Sequence, residues 1–98
     1  MVEAKAWSSV AFQHIGITVS DIDGAVRFWG AFLGRQPRAR ARLDRPYLST
    51  ITGYKNVVIE AAFFAIAPGT ELEILEYQDI PGSAVAEASA NPGHMHLC

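Results

Sequence analysis

The sequence predicts an α+β fold, a βαβββ unit with one main helix packed on a mixed, mostly antiparallel sheet. Three observations predict it. Residues 10–19, VAFQHIGITV, hold the β-branched and aromatic types of a strand. Ile22, Val26, Trp29 and Leu33 then recur at helical spacing. Two further runs, NVVIEAAFFAI and TELEILEYQ, are joined through Pro68 and Gly69 in the manner of a hairpin.

Taken in order, the first strand sorts by period two, with Ile15, Ile17 and Val19 on the side that needs an apolar cover and His14, Gly16 and Thr18 on the other. Ser20, with Asp23 three residues on, is the expected N-cap of the helix. Phe28 and Phe32 are expected to widen its apolar stripe, and Gly34 to end it in the left-handed conformation. In RQPRARARLDRP, alternation predicts Arg38, Arg40 and Arg42 on one face of a strand, and Pro37 argues for an edge position or a late start. Residues 44–56 show no clear period and read as a loop or a disrupted strand pair. The last strand of the hairpin has Glu71, Glu73, Leu75 and Tyr77 on one face, and Leu72, Ile74 and Glu76 on the other. Two Pro-Gly pairs flank an alanine-rich piece that reads as a linker. The expected organisation is a βαβββ module over 10–78, a linker over 79–93 and the first strand of an incomplete second module over 94–98.

With 98 residues, half of them apolar and 18% charged, the chain suits one small globular domain. A net charge of −2 makes no case for nucleic acid or an anionic membrane as partner, although five of the six arginines fall between Arg35 and Arg45. Cys98 is alone, so an intramolecular disulfide is excluded, and neither a signal peptide nor a membrane-length apolar run is present. A cytoplasmic location is expected.

His14, Glu73 and His96 sit in strand-like apolar surroundings on three separate segments. Imidazole with carboxylate is a donor set for Zn, Ni, Co, Mn or Fe(II) with positions left open for substrate. Taken singly, His14 also reads as an ordinary strand histidine and Glu73 as a solvent-facing one. His94 competes with His96, since residues two apart share a strand face.

HIGITVSDIDGAVRFWGAFLG, with GTELEILEYQ and PGHMHLC at the expected intervals, resembles the vicinal oxygen chelate superfamily. That superfamily includes glyoxalase I, methylmalonyl-CoA epimerase, extradiol dioxygenases, fosfomycin-modifying enzymes and bleomycin-resistance proteins. The resemblance covers nearly the whole chain from Phe12 onward and implies a cupped sheet of the glyoxalase/bleomycin resistance/dioxygenase type. It further implies that His14, Glu73 and His96 are ligands of a divalent metal, Glu73 doubling as the catalytic base, with the fourth ligand on the missing part of the second module. A truncated chain, a single module that pairs with its own copy, and a chain completed by another polypeptide are three readings of that departure. Truncation accounts best for a chain ending in GHMHLC, and a half-cup with an open edge is expected to form a homodimer or larger assembly.

The function so implied is that of a metal-dependent lyase or isomerase of the glyoxalase or epimerase type, acting on a small oxygenated substrate. Two alternatives stand beside it: an extradiol-type ring-cleavage dioxygenase, and a metal-free ligand-sequestering protein of the bleomycin-resistance kind. Arg38 and Arg40 are expected to contact an anionic substrate if their face looks into the cup, the other reading being a solvated edge strand that discourages aggregation. Tyr47 and Tyr54 are the aromatic candidates for stacking on it.

Overall fold

Each change of sequence period is met by a change of secondary structure. The structure, a computed structural model, describes residues 12–82 together with positions 90 and 92. Along the chain it runs β1 (His14–Thr18), α1 (Ile22–Leu33), β2 (Ala39–Leu43), α2 (Tyr47–Thr52), β3 (Ile59–Ala67) and β4 (Thr70–Tyr77). The strands form one sheet in the order β1-β4-β3-β2. The β2/β3 and β3/β4 pairs are antiparallel, while β1 lies parallel to β4, with Gly16 opposite Glu73 and Ile17 opposite Ile74. The expected mixed, mostly antiparallel sheet with one main helix is what the chain adopts. A parallel pair needs a long crossover, and here everything from α1 to β3 supplies it.

One face of the sheet is covered by α1. Ala62 and Phe64 of β3 and Leu72 and Ile74 of β4 are buried beneath it with Ile22, and Ile17, Val19, Val26, Trp29 and Leu33 pack around them. Burial of each large apolar side chain stabilises by about 1.5–3 kcal/mol. The helix ends on Gly34, whose φ of 67° is left-handed and whose N–H donates to the carbonyl of Gly30, as the sequence indicated.

Four local expectations are corrected. The N-cap is Asp21, one residue beyond Ser20: its carboxylate accepts from the Gly24 N–H at 3.2 Å. A Cβ at Gly24 would lie 2.6 Å from Asp21 Oδ2, so a side chain there would push the capping carboxylate aside. Phe28 and Phe32 do not join the stripe under the helix; they are 60% and 72% exposed and stack on each other beside Trp29. At about 100° per residue, Phe28 is rotated away from the row of Val26, Trp29 and Leu33. Within residues 44–56 lies α2, entered from Pro46 and closed by Gly53 at a φ of 81°. Six residues are fewer than two turns, too short to show a period.

The basic strand is the fourth correction. Register places Arg40 opposite Ala62 and Arg42 opposite Glu60, so both lie on the helix-covered side. There Arg40 pairs with Asp23 at 2.9 Å and Arg42 approaches Glu60 at 3.6 Å. Arg38 precedes the strand, escapes its alternation and turns to the other face. No helix among the described residues is long and apolar enough to cross a membrane.

Candidate functional site

The second face of the sheet carries the polar groups. Strand alternation presents His14, Gly16 and Thr18 there from β1, and Glu71, Glu73, Leu75 and Tyr77 from β4, as the sequence pattern indicated. β3 contributes Ile59, Ala61, Phe63 and Ala65, and β2 contributes Ala39, Ala41 and Leu43. The carboxylates therefore stand on an apolar floor. At one end Tyr54 packs edge-on against Tyr77 with centroids 5.8 Å apart, beside the buried Val57, Ile59 and Ala61. The other end is open.

Parallel pairing of β1 with β4 brings His14 and Glu73 together, with Nε2 3.1 Å from Oε2. The carboxylate is largely covered, 14% exposed, whereas the imidazole is 47% exposed and accessible to a ligand. On its far side the ring meets Gln13 through Nδ1 and Oε1. Nδ1 is therefore the nitrogen on the Gln13 side and Nε2 the one turned to Glu73.

The separation is that of a hydrogen-bonded ion pair, and it also falls within the spacing of two neighbouring donors on a metal. Imidazole nitrogen and carboxylate oxygen bind divalent metals at about 2.0–2.2 Å, which sets neighbouring donor atoms roughly 3.0–3.4 Å apart. A ring held through its second nitrogen is the usual arrangement for a ligating histidine. Among the described residues no three His, Cys, Asp or Glu side chains converge closely enough to hold a metal. His94, His96 and Cys98 lie outside the described residues, as do residues 83–89 of the expected linker.

Arg38 occupies the open end. Its N–H donates to the carbonyl of Phe63 at 2.6 Å, and its guanidinium lies over the Phe63 ring, 5.6 Å from the centroid. Nε and Nη2 both donate to the Glu71 carboxylate, the second at 2.9 Å. This fork holds the Glu71 carboxyl below the usual carboxylate range, against an opposing effect of burial and with a smaller pull from His14, and raises the guanidinium further. A shallow cleft runs between Gln13, Arg38, Thr70 and Glu71. Of the other residues considered for substrate contact, Arg40 lies across the sheet and Tyr47 is 60% exposed on α2.

Sequence reasoning passed over Gln13, Phe63 and the role of Glu71. Glu71 shares strand parity with Glu73, a signal that was available; the fork that holds it has none, since it depends on where β2 begins.

Neither a protein-family model nor a curated protein matches this sequence. A solved structure does: a glyoxalase family protein from Bacillus cereus aligns over 88% of this chain with a TM-score of 0.66 and 18% sequence identity. The chain has the glyoxalase-family fold. The glyoxalase-like chain covers 57% of that protein's length.

Proposed function

We propose that this glyoxalase-like module supplies part of the site of a divalent-metal-dependent lyase or isomerase acting on a small oxygenated substrate. One observation carries the reading: His14 Nε2 and Glu73 Oε2 stand 3.1 Å apart on the open face of a sheet with this fold. Zn, Ni, Co, Mn or Fe(II), when bound, supplies Lewis acidity toward substrate oxygens. His14 binds through Nε2, with the ring orientation held by Gln13. Glu73 would hold a ligand position through Oε2 and leave its other carboxylate oxygen to move the proton, flanked by an apolar floor that excludes water on one side. His96 is the proposed third ligand.

Completion of the site falls to a second module or a second copy of the chain. Val19 N–H donates to Leu75 O, and Glu71 N–H to Gln13 O. These bonds turn the odd-numbered residues from Gln13 to Val19 toward β4 and leave the N–H and C=O of His14, Gly16 and Thr18 facing outward. Among the described residues no strand pairs with that side, which is where a homodimer would form.

Metal content of the purified chain, with His14→Ala as control, tests the proposal. The expected result is bound metal that the substitution removes; sub-stoichiometric metal, unaltered by it, overturns the reading. Oxygen uptake with catechols would assign the site to ring-cleaving dioxygenation instead, and tight stoichiometric ligand binding without metal would assign it to sequestration.

A further inference from the structure

Most of the arginine-rich stretch from Arg35 to Arg45 is accounted for by partners within the fold. Arg35 donates to the carbonyl of Ala65, Arg38 grips Glu71, Arg40 pairs with Asp23, and Arg42 approaches Asp44 and Glu60. Arg45 is different. Among the described residues it forms no ion pair, and neither does Lys55. Register between Leu43 and Ile59 sets the residues that follow β2 beside those that precede β3, and this brings Arg45 and Lys55 to one open cleft of about 560 Å3. Ser49 of α2 and Asn56 of the turn before β3 add a hydroxyl and an amide to its wall, and the buried Val57 is its apolar floor. Asp44 also lines it, but its carboxylate lies toward Arg42 at 3.9 Å. The cleft is at the end of the sheet where Ile59 meets Tyr77, four residues along β4 from Glu73 and so roughly 13 Å away along the strand.

Two cations at one concavity, unbalanced from within, favour an anion there. We propose that this cleft binds a small phosphate monoester, with the phosphate between Arg45 and Lys55 and the organic part on Val57. Charge selects the group: a phosphate monoester carries about −1.5 to −2 near pH 7, which matches two cations, whereas a carboxylate matches one. Its oxygens suit the Arg45 fork and the Lys55 point charge and can accept from Ser49 and Asn56 as well. The volume is that of a small-molecule site. Nothing in this assignment depends on His14 or Glu73. Arg45 and Lys55 are both exposed, so replacing either leaves the core untouched.

The test is titration of the full, isotope-labelled chain with phenyl phosphate at neutral pH, followed by amide chemical shifts. We expect saturable shifts within residues 44–58, and affinity lowered about tenfold or more by Arg45→Gln and by Lys55→Gln singly. Inorganic phosphate lacks the organic part and benzoate the second charge, so both are expected to bind more weakly. Arg27→Gln removes an exposed cation from α1 and is expected to leave the affinity unchanged. No saturable shift, shifts confined to β1 and β4, or an affinity that neither glutamine variant lowers overturns the proposal. Equal weakening by Arg27→Gln also overturns it, as a general charge effect. Equal affinity for benzoate does so by assigning the cleft to carboxylates, and equal affinity for inorganic phosphate by showing that Val57 contributes nothing. If a glutamine variant does not fold, salt takes its place: added NaCl weakens attraction between charges, and an affinity that does not fall overturns the proposal. His14→Ala, the control for metal content, is expected to leave phenyl phosphate binding unaltered, so the two readings fail separately.

Discussion

At the scale of single residues, the orientation of His14 depends on a neighbour that periodicity does not reveal. Gln13 Oε1 meets Nδ1 and leaves Nε2 toward Glu73. If the ring is a ligand, Gln13→Leu lowers metal affinity about ten- to a hundredfold, a loss read by calorimetric titration with Zn2+, while the fold stays unaltered. A weaker effect than threefold would show that the ring is held by other means. Glu71 makes a prediction in pH. Its folded carboxyl titrates below the ordinary glutamate value of about 4.3, so the unfolded chain binds more protons in that window. The contribution is therefore complete above about pH 4.3 and is lost as pH falls through the lower folded value. Urea unfolding between pH 6 and 3 should show a shallower acid loss of stability in Glu71→Gln than in the unaltered chain.

At the scale of elements, the register of helix on sheet is set by a contact between distant segments. Glu76, the last residue of β4's helix-covered face, accepts from the Ile22 N–H at 2.8 Å with Oε2. A carboxylate at a helix N-terminus satisfies a donor that lacks an intrahelical partner and complements the helix dipole. Glu76→Ala is expected to destabilise by about 1.5–3 kcal/mol, measured by urea denaturation at an unchanged m value. The elements themselves were legible where a period persists. Alternation in TELEILEYQ separated Leu72 and Ile74 from Glu71 and Glu73, and the spacing from Ile22 to Leu33 with Gly34 marked a helix and its end. What escaped has physical reasons. α2 is shorter than the window in which a period shows, Phe28 and Phe32 are apolar yet turned to solvent, and Arg38 leaves the face of Arg40 because β2 starts one residue later.

At the scale of the molecule, the outward edge of β1 and the open face argue for association. A Pro at position 16 removes an outward-facing N–H and spares the ladder to β4. If the chain associates through this edge, Gly16→Pro is expected to yield monomer in sedimentation velocity, with its circular dichroism preserved; association that survives would place the contact elsewhere, as on the exposed Phe28 and Phe32. At this scale the candidate site was half legible. That His14 and Glu73 occupy similar strand positions could be read from each segment, but their approach depends on β1 lying parallel to β4, a long-range register that no local pattern encodes. That same pairing fixes an order of events during synthesis. Among the described strands, β1 has no partner until β4 has left the ribosome. A nascent chain halted before Thr70 can pair β2 with β3 but offers β1 no described partner and His14 no β4 carboxylate, so the candidate site is among the last features to be assembled.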